Sequence, residues 1–148
     1  MNNNKLAKLV NQKMLEKDAF SRWLGIKVMR LKPGEVTLKM PVRPEMLNGF
    51  DVLHGGITFS LADSALAFAS NGYGGVSLAL ECNISYSAPV YAGDVLTAHA
   101  REEHSGRRTG VYSIVVKNQK DEEVAFFRGT VYRPGKTFFA SEDEREET

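Results

Sequence analysis

The chain has 148 residues, of which 43% are hydrophobic and 25% charged, the composition of a globular protein large enough to bury a core. Its formal net charge of +1 argues against a nucleic-acid partner or an anionic membrane surface, because neither would find a strong complementary field. The single cysteine, Cys82, excludes an intrachain disulfide, and the N-terminal residues lack the apolar stretch of a signal peptide, so we expect a cytoplasmic protein.

The first third of the chain predicts a helix, a hairpin and a loop. Apolar residues recur at helical spacing over residues 5–18, which is typical of a short amphipathic helix. Residues 23–42 are divided by the turn signal Pro33-Gly34, and apolar and polar residues alternate after this turn, which predicts a β-hairpin. Residues 43–53 contain residues typical of loops and show no clear hydrophobic periodicity, which predicts a loop.

The longest apolar segment follows His54-Gly55-Gly56 and ends at a glycine-rich stretch that begins at Gly72. It predicts a helix from Gly55 to Asn71. This segment is too short to span a bilayer and contains one carboxylate, Asp63. Because apolar residues lie on nearly every side, we expect the helix to be buried with a sheet curled around it.

Four strand-like runs follow the helix, separated by turn signals. They cover residues 76–88, 94–104, 110–117 and 123–133. Together with the hairpin they predict an α+β fold in which one central helix packs against an antiparallel meander. The acidic tail over residues 141–148 is too charged to pack, so we expect it to be disordered after a single domain over residues 1–140.

Two features of the central helix predict acyl transfer or hydrolysis. A helix that begins at glycines offers free backbone N–H groups and a positive dipole end to an oxygen that gains negative charge. A carboxylate inside an otherwise apolar helix is unfavourable unless it is paired or used, and Asp63 occupies such a position. The alternative for Asp63 is a structural carboxylate that accepts hydrogen bonds from Ser60 or Ser64.

Five short motifs occur in an order and spacing typical of one enzyme family. They are Leu47-Asn48-Gly49, His54-Gly55-Gly56, Leu61-Ala62-Asp63, Gly110-Val111-Tyr112 and Phe127-Arg128-Gly129. Over roughly residues 15–134 the chain thereby resembles the PaaI-type hot-dog thioesterases of phenylacetate catabolism. The resemblance implies a curved antiparallel sheet wrapped around one long helix, a homodimer or dimer-of-dimers tetramer, and hydrolysis of acyl-CoA thioesters. It implies no cofactor, since coenzyme A is part of the substrate.

Helix geometry then predicts that two copies share each site. Gly55 and Asp63 are eight residues apart, which is about 12 Å along a helix axis. A thioester carbonyl must lie about 3 Å from both the oxyanion donor and the attacking group or its water, so one regular helix does not supply both. Two antiparallel helices across a two-fold axis would bring Gly55 of one copy to Asp63 of the other. Asp63 would then attack the thioester directly or activate a water as general base.

Other candidate residues have supporting roles. We expect His54 to hold the loop, contact the substrate or cap the helix rather than act as a base. By resemblance Asn48 places the carbonyl or a water, and the alternative is a plain Asn-Gly turn. The sequence Arg107-Arg108-Thr109 follows a turn and would bind the phosphates of coenzyme A, unless it is only a solvated hairpin tip. The three histidines lack metal-ligand spacing, so no metal is expected.

Some relatives orient the water with a hydroxyl on the strand after the helix. The matching position here is Ala79, and Ser77 is the nearest hydroxyl on its face. Glu81 shares that face by alternation, where we expect it to be solvent-exposed or paired with a basic residue rather than in contact with the site. Five apolar residues could line a pocket for an aromatic or medium-length acyl group, although we expect most of them to be core residues. The resemblance implies phenylacetyl-CoA and its hydroxylated forms, and the alternative is broad activity on other acyl-CoA esters. They are Met46, Phe59, Leu66, Phe68 and Tyr73. Two other functions stay open, a hot-dog hydratase or dehydratase and a non-catalytic acyl-CoA-binding module.

Overall fold

The computed structural model describes residues 2–139, and within them the chain forms three α-helices, one 3-10 turn and six β-strands. The helices are α1 (Asn3–Lys17), α2 (Ala19–Leu24) and α3 (Gly55–Asn71), and the 3-10 turn is Pro44–Met46. The strands are β1 (Lys27–Lys32), β2 (Glu35–Pro41), β3 (Leu78–Tyr86), β4 (Val95–Ser105), β5 (Thr109–Lys117) and β6 (Glu123–Tyr132). The predicted acidic tail, residues 141–148, lies outside the described residues.

All six strands form one antiparallel sheet in the order β1-β2-β4-β5-β6-β3. The predicted meander is found in β4, β5 and β6. Strand β3 does not join β4, because β4 pairs with β2 of the N-terminal hairpin. Strand β3 instead pairs with β6, so β1 and β3 are the two edges of the sheet.

Helix α3 begins at Gly55 and ends at Asn71, as the sequence predicts. It packs against β2, β3, β4, β5 and β6, so the sheet curves around it and the predicted α+β hot-dog layout is confirmed. Its fully buried apolar residues form the centre of the core. They are Leu61, Ala62, Ala65, Leu66, Phe68 and Ala69.

The short helix α2 occupies residues that the sequence assigned partly to the hairpin. Asp18 is the N-cap residue of α2, and its carboxylate accepts hydrogen bonds from the Ser21 N–H at 3.0 Å and the Ser21 hydroxyl at 2.6 Å. The Ser21 hydroxyl also lies 2.8 Å from that of Ser64, which fixes α2 against the middle of α3. In the described part of the chain no helix is long and apolar enough to cross a membrane.

Candidate active site

A cavity of about 560 Å³ lies between the end of α1, helix α3 and the start of β3, and Asp63 is in its wall. Most of the cavity surface is apolar. The larger apolar side chains in its walls are Met14, Leu66, Val76, Leu78, Val131 and Phe138. A partly buried carboxylate at the edge of an apolar cavity of this size is a typical arrangement of a small-molecule site.

The carboxylate of Asp63 accepts no hydrogen bond from any group in residues 2–139. The hydroxyl of Ser60 donates instead to the Gly56 carbonyl oxygen at 2.7 Å, and the hydroxyl of Ser64 is paired with Ser21. The neighbouring serines therefore do not hold Asp63 as a structural group, which leaves its oxygens available to a ligand.

Burial raises the pKa of Asp63, and the negative charge of Asp18 raises this pKa further. Asp18 lies on the same cavity wall, at the junction of α1 and α2. Both effects disfavour the ionised form. When Asp63 is ionised it is consequently a better base and nucleophile than a solvated aspartate.

The first turn of α3 leaves one backbone donor free. His54 is the N-cap residue, and its Nδ1 accepts a hydrogen bond of 2.9 Å from the Gly56 N–H. The N–H of Gly55, the first helical residue, has no acceptor among the described residues. His54 therefore serves as a helix cap, and the Gly55 N–H is the donor that could meet an oxyanion.

Tyr86, which the sequence did not indicate, fixes the position of Gly55. Its hydroxyl donates a hydrogen bond of 2.7 Å to the Gly55 carbonyl oxygen. A Cβ atom added to Gly55 would lie 2.9 Å from this hydroxyl oxygen and 3.0 Å from Cζ of the ring. No local pattern could reveal this contact, because the two residues meet only when the end of β3 reaches the start of α3.

Asn48 shapes the loop before the helix. Its side-chain oxygen accepts hydrogen bonds from the N–H groups of Phe50 at 2.8 Å and Val52 at 3.4 Å. Its own N–H donates to the Val52 carbonyl at 2.8 Å. The oxygen is thus used by the turn, and the side-chain amide nitrogen is the part of Asn48 that remains for a substrate or water.

One copy of the chain does not bring these groups together. Gly55, His54 and Asn48 are not part of the cavity wall that contains Asp63. Because α3 is continuous from Gly55, the predicted separation of about 12 Å along its axis applies. A complete site that uses both Asp63 and the Gly55 N–H therefore requires a second copy.

Just before β3, Ser77 has a hydroxyl that is already hydrogen-bonded. Ser77 and Ala79 both line the Asp63 cavity, as expected. The Ser77 hydroxyl donates to the Ser70 carbonyl at 3.2 Å. Glu81 is solvent-exposed, as expected, but it does not share this face. A β-bulge at Leu80 shifts the register: Ala79 pairs with the buried Val131, whereas Glu81 pairs with Thr130 on the opposite face.

Most of the five candidate acyl-pocket residues belong to the core or pack against it, as expected, and Leu66 is the one that lines the cavity. Met46 and Phe68 are buried in the core, Phe59 packs edge-on against Phe127 at 5.1 Å, and Tyr73 is 48% exposed away from the cavity. The other walls include Met14 of α1 and Phe138 of the C-terminal segment, two residues that no local sequence pattern could connect.

A second cavity of about 360 Å³ has a basic lining and borders the first, since Val76 lines both. Arg107, Arg108, Arg133 and Lys136 contribute its cationic side chains. Within residues 2–139, Arg107 and Arg108 form no ion pair. The predicted Thr109 is exposed outside this lining, whereas Arg133 and Lys136 were not indicated by the sequence.

The described residues also contain a partly buried Cys82, which faces α3 beside the core. Burial raises the pKa of its thiol, and the charge of Asp63 raises it further, so the thiol is a poor nucleophile. No group of three or more His, Cys, Asp or Glu residues within residues 2–139 is arranged to hold a metal ion.

Comparison with known proteins gives a consistent family assignment. The sequence pattern of the thioesterase superfamily matches residues 50–125. Acyl-coenzyme A thioesterase PaaI of Escherichia coli is 44% identical over 124 residues, which cover 84% of this chain and 89% of that protein.

Solved structures agree with this assignment. The structure of E. coli PaaI, from the phenylacetic acid degradation operon, superposes with a TM-score of 0.90 at 41% identity, covering 92% of this chain and 99% of that one. A Streptococcus mutans protein solved with bound acetyl-CoA superposes with a TM-score of 0.73 at 30% identity, covering 76% and 90% of the two chains. The chain therefore belongs to the thioesterase superfamily, as a PaaI-type hot-dog thioesterase.

Proposed function

We propose that this protein hydrolyses acyl-CoA thioesters with Asp63 as the catalytic carboxylate. The observation that carries the proposal is the position of Asp63, which has no hydrogen-bond donor among the described residues and lies in the wall of an apolar cavity. The acyl group would occupy this cavity, and the phosphates of coenzyme A would bind at the adjacent basic cavity beside Arg107 and Arg108.

Two chemical routes use the same groups. Asp63 can attack the thioester carbonyl, which releases the coenzyme A thiolate and leaves a mixed anhydride that water then hydrolyses. Alternatively it removes a proton from a water that attacks the carbonyl, and the thiolate leaves as the C–S bond breaks. In both routes a carbonyl oxygen gains negative charge. The N–H of Gly55 of the partner subunit would stabilise that charge.

The shared site requires a homodimer, for which the sheet offers a suitable edge. Strand β3 is an edge strand with exposed apolar side chains at Leu78, Leu80 and Tyr86. An unprotected apolar edge readily pairs with another strand. We propose that β3 pairs with the same strand of a second copy, which continues the sheet and sets two α3 helices side by side. Two such dimers would form the tetramer expected from the family.

For the acyl group we propose phenylacetyl, hydroxyphenylacetyl or a similar aromatic or medium-chain group. The support is the apolar lining of the Asp63 cavity and the similarity to a thioesterase from the phenylacetic acid degradation operon. We further propose that residues 1–140 act as one domain in the cytoplasm without a cofactor of their own.

The proposal is tested by release of free thiol from a panel of acyl-CoA esters. We expect Asp63→Asn to reduce kcat about 100-fold or more, because the carboxylate acts directly in the chemical step. Glu81→Gln is the matched control, since it makes the same acid-to-amide change on the face of β3 that points away from α3. Thiol release by Asp63→Asn at the wild-type rate, or equal losses in both variants, would overturn the assignment.

A further inference from the structure

The turn that connects β4 to β5 is held by one arginine from the end of β6. Nη1 of Arg133 donates hydrogen bonds to the carbonyl oxygens of Gly106 at 2.7 Å and Thr109 at 3.0 Å. Its Nη2 donates to the Ser105 hydroxyl oxygen at 3.2 Å. The backbone N–H of Arg133 donates to the Arg108 carbonyl at 2.8 Å. Four hydrogen bonds from a single residue thus enclose the turn that carries Arg107 and Arg108.

Gly110 makes room for this guanidinium. A Cβ atom at position 110 would lie 3.0 Å from Nη2 and 3.4 Å from Nη1 of Arg133, and 3.2 Å from the Tyr112 ring. The Tyr112 ring is fully buried, and its hydroxyl donates to Glu102 at 2.8 Å, so the ring has little freedom to move. Any side chain at 110 would therefore push the guanidinium away from the turn.

The segment after Arg133 completes the same region. The N–H of Val76 donates to the Lys136 carbonyl at 2.8 Å, and the Phe138 N–H donates to the Gly74 carbonyl at 2.9 Å. These bonds attach the segment beside the start of β3. Lys136 then lines the basic cavity, while Phe138 lines the neighbouring Asp63 cavity.

We propose that Arg133 is a positioning residue for the binding of coenzyme A. By fixing the turn, it holds the exposed side chains of Arg107 and Arg108 beside Lys136, so that with its own guanidinium four cations border one cavity before any ligand binds. A preformed cluster binds a phosphate more tightly than flexible side chains, because less conformational entropy is lost. This inference rests on the proposed function, since it assigns the cluster to the nucleotide phosphates of the acyl-CoA substrate.

The test compares two substrates with the same acyl group, phenylacetyl-CoA and the phenylacetyl thioester of pantetheine, which lacks the nucleotide. Arg133→Lys keeps the charge but cannot reach all the acceptors in the turn. We expect it to raise KM for phenylacetyl-CoA roughly tenfold, with kcat and the KM for the pantetheine ester within about twofold of wild type. Arg101→Lys, an exposed change on β4, is the control and should leave both KM values unchanged.

A second variant disturbs the turn without altering any charge. Gly110→Ala should raise KM for phenylacetyl-CoA to a similar extent. The Gly110→Ala/Arg133→Lys double variant should be no worse than the single changes, because both act through the same guanidinium. If Arg133→Lys leaves KM for phenylacetyl-CoA unchanged, or raises both KM values equally, the positioning role is wrong.

Binding of coenzyme A itself, measured by calorimetry, separates this inference from the proposed function. If wild-type protein binds coenzyme A but hydrolyses no ester, the proposed function fails. A weaker binding of coenzyme A by Arg133→Lys would still support the positioning role. If hydrolysis is normal and both proteins bind coenzyme A equally, the positioning role alone is overturned.

Discussion

The hydroxyl of Tyr86 donates a 2.7 Å hydrogen bond to the carbonyl oxygen of Gly55, which joins the end of β3 to the first residue of the central helix. The aromatic ring occupies the space that a Cβ atom at position 55 would need. Tyr86 thereby orients the backbone of Gly55, whose N–H has no acceptor within residues 2–139.

The role of this N–H can be tested by comparing Gly55→Pro with Gly55→Ala. Both substitutions place a Cβ atom against Tyr86, but only proline removes the N–H. Proline is well tolerated at the first position of a helix, and His54 already has the extended conformation, φ −60° and ψ 130°, that precedes proline. We expect kcat of Gly55→Pro to be about 100-fold lower than that of Gly55→Ala. Equal kcat values in two folded variants would show that the N–H is not an oxyanion donor.

Asp63→Asn should also stabilise the fold, and the effect should depend on pH. Burial, followed by the charge of Asp18, raises the pKa of Asp63 in the folded state. The folded protein therefore binds this proton more tightly than the unfolded chain does, so stability is lost as pH rises through the raised pKa. We expect Asp63→Asn to have a higher Tm than wild type at pH 7, with the difference shrinking at acidic pH. A Tm difference that is constant from pH 3 to pH 8, or a lower Tm at pH 7, would contradict the unfavourable burial of the charge.

Asp18→Asn should change the pH profile of the reaction. Removing the charge of Asp18 removes one of the two causes that raise the pKa of Asp63. Asparagine can still accept the hydrogen bonds that begin α2, so the fold should be retained. Because the proposed mechanism needs ionised Asp63, we expect the acidic limb of kcat/KM to move to lower pH. An unchanged limb, or one that moves to higher pH, would contradict an influence of Asp18 on the pKa of a catalytic Asp63.

Met14→Trp tests whether α1 limits the acyl group. Met14 lines the Asp63 cavity, so a larger side chain should fill part of it. We expect the ratio of kcat/KM for phenylacetyl-CoA over acetyl-CoA to fall roughly tenfold. Met29→Trp is the control, because Met29 is exposed on β1 and does not line this cavity. Equal ratios in the two variants would place the acyl group elsewhere.

Local sequence signals predicted most of the fold. The glycines around residues 55 and 72 mark the ends of α3, and the bounds of β4, β5 and β6 agree with the sequence to within a residue or two. Asp63 was also evident, because one carboxylate in an apolar helix is a local anomaly. Helix α2 was missed, although Asp18 followed by Ser21 is a capping pattern that could have indicated it.

Features that depend on distant contacts could not be predicted in the same way. The bulge at Leu80 turns Glu81 away from α3, and single-strand alternation gives no sign of it. Phe138 reaches the Asp63 cavity because the segment after β6 attaches to residues 74–76, and Arg133 reaches the basic cavity because it is hydrogen-bonded to the turn between β4 and β5. Such pairings depend on the whole topology, so the sequence indicated the candidate reacting groups more readily than the walls of the cavity around Asp63.

Mixing two inactive variants tests most directly whether each site takes Asp63 from one copy and the Gly55 N–H from the other. Asp63→Asn and Gly55→Pro are each expected to be inactive alone. After random exchange in equal amounts, half of the dimers would be mixed and each would contain one intact site, so about a quarter of the wild-type activity should return. Two results would contradict the shared site. One is activity that does not return in a mixture in which subunit exchange has been demonstrated, and the other is full activity in an isolated monomer.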